Sequence, residues 1–180
     1  MRTIETKVYL FNELDDQTQE KAIENNYHIA VQDDWHDFTK YDLKEIGIEL
    51  RSFDVDRGSY AEIHIDYFFE TCEKIIQTHG ENCETYKIAE RYIKEYNSIH
   101  EKISAIHDSH HWSREFGSDG DKLMQCDIDL DDLEDEYQKE FSEEVLSMLR
   151  KEYEHMTSEE YLVDMFNANE YEFTAEGEMI

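Results

Sequence analysis

Forty-six aspartates and glutamates stand against 17 lysines and arginines, a formal charge of −29 over 180 residues. Charge of this density has to stay on the surface, and its self-repulsion works against any compact state. The core must therefore come from a limited apolar supply. Apolar residues make up 39% of the chain, below the usual share of about 45–50% in globular chains. Aromatic residues compensate, with 12 Tyr, 9 Phe and 2 Trp. An acidic disordered chain would be poor in them. The composition thus points to one folded domain over residues 1–180 with a very acidic surface. It argues against a nucleic-acid ligand, because binders of that polyanion neutralise phosphates with Lys and Arg.

Cys72, Cys83 and Cys126 are an odd set with no CxxC spacing, which reads as free thiols rather than a disulfide framework. The opening MRTIETKVYLF has no apolar signal-peptide core. No apolar run approaches the roughly 20 residues of a membrane helix. The expected location is a reducing cytosol. With no proline in the chain, turns and helix ends are expected at Gly47, Gly58, Gly80, Gly117, Gly120 and Gly177.

Hydrophobic spacing predicts an α+β chain. Residues 3–11 alternate as a strand. Asp15 or Asp16 caps a helix whose dry face is Ala22, Ile23, Tyr27 and Ala30. A second helix carries Trp35, Phe38, Tyr41 (or Asp42) and Ile46, and Gly47 closes it. Residues 48–68 form a hairpin with arms 48–55 and 60–68, and the tip Asp56-Arg57-Gly58-Ser59 supplies the positive φ that a tight turn needs. A helix over 69–79 follows. Asn82 caps the longest periodic stretch, in which Ala89, Tyr92, Tyr96, Ile99, Ile103 and Ile106 recur at three- and four-residue steps. This seam reads as core packing, with association between two copies as the alternative. Residues 107–126 read as a loop, and an acidic helix spans 128–155. Thr157 caps a last short helix, and the tail forms a final strand. The hairpin is expected at the centre of a small antiparallel sheet. Segment 82–155 is expected to form an antiparallel helix pair, free to project from the sheet core.

Three stretches carry a resemblance. They are Phe11-x-Glu13-Leu14 followed by Lys21-Ala22, the hairpin Phe53-Asp54-Val55-Asp56-Arg57-Gly58, and the ending Asn169-Glu170-Tyr171-Glu172-Phe173-Thr174 with Gly177 after it. Together they resemble small acidic proteins of unassigned function encoded by bacteriophages and prophages. The resemblance implies an accessory phage product that acts in a bacterial cytoplasm and counters host defence or modulates host machinery. It transfers no catalytic residue.

Residues 127–144 hold ten carboxylates and one lysine. At a helical rise of 1.5 Å per residue this is about one negative charge per 2.7 Å of axis. Duplex DNA carries about one per 1.7 Å, so the segment suits a DNA mimic, and a plain solvated helix face is the alternative. The expected partner contacts are Asp129, Asp131, Asp132, Glu134, Asp135, Glu136, Glu140 and Glu143. Asp127-x-Asp129-x-Asp131 opens like a calcium loop but lacks the turn Gly and the bidentate Glu. His107, His110 and His111 form the densest histidine group, a candidate zinc site if they share a helix face. No cofactor is otherwise expected. His79 lies near Cys83 with nothing to orient the pair, and Arg57 reads as an ion-pair partner of Asp54 or Asp56. Lys40, Lys44 and Arg51 look too scattered for an anion site. Tyr86, Tyr92, Tyr96 and Trp112 read as packing rather than base-stacking groups.

The sequence therefore favours a non-enzymatic phage-type inhibitor. Its acidic surface would fill the basic groove of a host defence or restriction protein that binds nucleic acid. One alternative is a small-molecule binder that sequesters a nucleotide signal in a pocket of Arg, Lys and Tyr. A second is a metal-dependent hydrolase built on the 107–111 histidines.

Overall fold

In a computed structural model the described residues are 7–32, 34–110 and 117–180, with backbone alone at 109–110 and 117–119. The fold is α+β, mostly helical with two antiparallel two-stranded sheets. In chain order the elements are β1 (Tyr9–Leu10), α1 (Asp16–Asn26), α2 (Asp37–Ile46), β2 (Ile48–Asp54), β3 (Tyr60–Ile65), α3 (Phe68–Thr78), α4 (Glu84–His110), α5 (Gly117–Met156), α6 (Glu159–Ala168) and β4 (Glu172–Phe173). They form two compact units, one of Met1–Phe38 with Leu149–Ile180 and one of Thr39–Met148. Among the described residues no helix is long and apolar enough to cross a membrane.

In the first unit β1 pairs with β4, Tyr9 opposite Phe173 and Leu10 opposite Glu172. The expected strand over 3–11 is thus cut to two residues within the described part, and residues 1–6 lie outside it. The chain turns at Phe11 into a single 3-10 turn, whose Glu13 carboxylate accepts the Leu10 N–H at 2.9 Å. Phe11, Leu14, Ala22, Ala30, Leu162, Phe166 and Phe173 build the core. The Phe166 ring lies 5.4 Å from Phe11 and 5.2 Å from Phe173. Asp15 is the cap of α1 and accepts the Thr18 N–H at 2.9 Å. That bond holds its carboxyl below the ordinary range. Tyr27, expected on the dry face, is exposed because α1 stops at Asn26, whose buried amide donates to Ala22 O at 2.7 Å. Thr157 does not cap α6. Its hydroxyl donates back to Tyr153 O, and Ser158 Oγ accepts the Tyr161 N–H instead.

In the second unit β2 and β3 form the expected hairpin. The left-handed residue of that tip is Ser59, at φ +48°. Asp54 organises the turn by accepting the N–H groups of Asp56, Arg57 and Gly58 at 2.8, 3.1 and 2.9 Å. The Gly58 and Asp56 bonds in particular depress its carboxyl pKa. Ile48, Leu50, Ile63 and Ile65 face the core. On α2 the dry side is Leu43 and Ile46, while Phe38 and Tyr41 are exposed. The expected face failed there because Trp35 precedes the helix and so does not set its phase.

Helix α4 starts one residue after Cys83, whose carbonyl accepts the Lys87 N–H, so Asn82 is not its cap. The loop expected over 107–126 is also corrected. Helix α4 runs to His110 and α5 begins at Gly117, while 111–116 lie outside the described residues. Buried Cys126 and Leu133, with half-buried Leu130 between them, extend the dry face of α5 backward at four- and three-residue steps. Helical periodicity outweighed the polar, glycine-containing sequence there. Phe68 of α3 lies 4.6 Å from the Tyr92 ring and 5.9 Å from Phe141. Tyr92 meets Tyr137 edge-on at 5.5 Å. The α4 seam is thus buried by its own chain through Ala89, Tyr92 and Ile99, and Ile103 and Ile106 are half-buried.

Candidate functional site: the acidic face of α5

Helices α4 and α5 lie antiparallel, because their contacts run in opposite register. Arg91 meets Glu140, and Glu95 accepts the Tyr137 hydroxyl at 2.9 Å. The Tyr92 hydroxyl donates to Glu134 at 3.3 Å. Burial first, then the nearby Glu134, pushes the Tyr92 phenol upward. Burial and the Glu95 bond do the same to Tyr137. Both phenols therefore remain donors at any ordinary pH and fix the two carboxylates beside them.

These bonds divide the eight expected contact residues. Glu140 is held by Arg91 and Glu134 by Tyr92, while Asp129 accepts from the Gln125 amide at 2.8 Å. Asp131, Asp132, Asp135, Glu136 and Glu143 are exposed and form no ion pair among the described residues. At 100° per residue these five fall within about 140° of helix arc, opposite the buried Leu133, Tyr137 and Phe141. They span about 18 Å of axis, over which one DNA strand places about five phosphates. Lys139 lies in the middle of the band and offsets one charge. Beside it, a groove of about 380 Å³ between α4 and α5 is lined by Asp129, Asp132 and Glu136 with Glu95 and Lys102. Sequence reasoning missed Glu95. Its place three residues after Tyr92, at the rim of the α4 seam, was the available signal.

His107 is exposed near the end of α4, His110 is on the same helix and His111 is outside the described residues. Among the described residues no three His, Cys, Asp or Glu side chains come together as a metal-ligand set. Asp127, Asp129 and Asp131 are on the continuous helix α5, not on a loop that wraps a cation. His79 Nδ1 is 2.6 Å from Thr85 Oγ1, and Cys83 is exposed. Arg57 is almost fully exposed, with Nε 4.0 Å from Asp56 Oδ2. Tyr92 is buried, Tyr96 stacks between Phe69 and His100, and Trp112 is outside the described residues. Lys40, Lys44 and Arg51, expected to be scattered, line one cleft.

Searches against protein-family models, curated proteins and solved structures found no match to this chain.

Proposed function

We propose that the protein is a non-enzymatic inhibitor, of the kind phages direct against host defence, that fills the basic nucleic-acid groove of a partner protein. The carrying observation is the band of Asp131, Asp132, Asp135, Glu136 and Glu143, exposed and without cationic partners among the described residues. A surplus of unpaired carboxylates on one rigid face is costly in self-repulsion. A basic groove relieves that repulsion on binding and is drawn to the band at long range. Glu134, Glu140 and Asp129 contribute potential but are already engaged within the chain.

The test is capture from bacterial lysate at low salt on immobilised protein, with duplex DNA as competitor. The expected result is a nucleic-acid-binding protein released by moderate salt and by DNA. It should no longer be retained by the variant D131N/D132N/D135N/E136Q/E143Q. A partner retained equally by that variant, or unaffected by DNA, overturns the reading.

A further inference from the structure

We infer that the cleft where α2 meets β2 is a binding site for a phosphorylated, polyhydroxylated small molecule of the sugar-phosphate class. Lys40 and Lys44 are one turn apart on α2 and therefore share a face. Gly47 at φ +96° passes the chain from α2 to β2 with no further linking residue. This brings the start of the strand beside the lysine-bearing end of the helix. On β2 the register shifts between Leu50 and Ser52, so Arg51 has no residue of its own opposite it on β3. Such a bulge re-aims its side chain, and Arg51 joins both lysines in lining a cleft of about 640 Å³. That volume suits a small molecule rather than a lone ion. Ile48 and Leu50, both buried, also line it.

Charge is the stronger argument. The protein has 46 acidic side chains, yet Lys40 and Lys44 form no ion pair among the described residues. Arg51 gives Nε to Glu49 at 3.3 Å, which leaves the far edge of its guanidinium for a second acceptor. Three cations thus converge on a surface that elsewhere repels anions. A phosphate monoester answers them, with Arg51 able to meet it in fork geometry. Glu49 and Asp66 also line the cleft. Carboxylates repel the phosphate but accept hydrogen bonds from sugar hydroxyls. No aromatic side chain is among the described lining residues, so none of these offers a nucleobase a ring to stack on. The site favours the sugar phosphate over the nucleotide. This inference is independent of the acidic face of α5.

Calorimetric titration of the full chain at low salt with ribose 5-phosphate, inorganic phosphate, ribose and adenosine 5′-monophosphate tests it. Ribose 5-phosphate is expected to bind most tightly, inorganic phosphate about tenfold more weakly, and ribose not measurably. A tenfold step is about 1.4 kcal/mol, within reach of one or two hydroxyl hydrogen bonds. The variants K40Q/K44Q and R51Q should each weaken the ester at least about tenfold. All three side chains are exposed, so unchanged far-UV spectra check the fold, and K87Q on α4 should bind as the parent does. Absence of binding at about 10 mM ester, or binding indifferent to these variants, overturns the site. Equal affinity for ester and inorganic phosphate, or tighter nucleotide binding, overturns the sugar-phosphate assignment.

Discussion

The guanidinium of Arg91 grips both carboxylate oxygens of Glu140, at 2.6 and 3.4 Å, across the α4–α5 pair. Arg91 also lies 5.7 Å from the Tyr137 ring centre. This contact removes Glu140 from the set of free carboxylates and makes it part of the scaffold. The pair is half-exposed, so its contribution is about 0.5–1 kcal/mol. Glu140→Gln should lower the melting temperature slightly and leave partner capture intact. Neutralising Asp131, Asp132, Asp135, Glu136 and Glu143 should do the opposite. Less repulsion should raise the low-salt melting temperature while capture is lost. Thermal melts and capture assays on the two variants check the contrast.

Gly177 is held at φ +82°, and a Cβ there would lie 2.9 Å from Thr18 O and 3.1 Å from Ala22 N. Both neighbours are backbone of α1 and cannot swing away. The left-handed backbone alone costs a non-glycine residue about 1–2 kcal/mol, and overpacking adds about 1–3 kcal/mol. Gly177→Ala should therefore destabilise the first unit by roughly 2–5 kcal/mol in urea unfolding. Gly120 is the control. It is within α5 and nothing lies within 4 Å of its Cβ position. Gly120→Ala should stabilise by about 0.5–1 kcal/mol.

The hairpin was legible because alternation over 48–55 and 60–68 needs only local pattern; the first arm ends at Asp54, and the second stops at Ile65 because α3 begins at Phe68. The acidic ladder was legible for the same reason. The pairing of Tyr9 with Phe173 was not, since two-residue strands carry no period and their partners are at opposite ends of the chain. Nor was the division of carboxylates between scaffold and free face, which depends on Tyr92, Glu95 and Arg91 arriving from another helix. Lys40 and Lys44 announce a shared face by spacing. That Arg51 joins them depends on a bulge that the sequence of β2 does not mark.

His79 Nδ1 bonds Thr85 Oγ1 at the junction of α3 and α4, and burial lowers its pKa below the ordinary 6.5, against a weaker raising effect of Asp42. A base whose folded pKa is depressed favours folding when neutral. Its contribution is fully present above 6.5 and is lost as pH falls toward the lower folded value. Between about pH 7.5 and 5.5 most carboxylates stay ionised, so His79 can be isolated. Over that window the parent should lose more thermal stability than His79→Gln. An equal loss in both would show that His79 is not the titrating group.

Salt should stabilise the protein. The ion pairs it weakens, such as Arg51–Glu49 and Lys87–Glu84, are half-exposed and individually contribute little. The repulsion it screens comes from a net −29. Raising sodium chloride from about 10 mM to about 1 M shortens the screening length from about 30 Å to about 3 Å. The melting temperature should climb across that range. A flat or falling response would mean that local pairs outweigh the net field.

The three thiols should separate cleanly in reactivity. Burial, reinforced by Glu134, pushes the Cys72 thiol up to about 12, so at pH 8 it holds almost no thiolate, the reactive form. Cys126 is buried, and Cys83 is exposed at the start of α4. An aromatic disulfide reagent at pH 8 should titrate Cys83 within minutes in the native protein and all three thiols in denaturant. Cys83→Ser should abolish the fast phase. Cys126 should react next, at a rate set by local opening of α5, because reagent reaches it only when that helix breathes. If Cys72 reacted before Cys126, the helix pair would be opening more readily than its aromatic packing around Tyr92 and Phe141 allows.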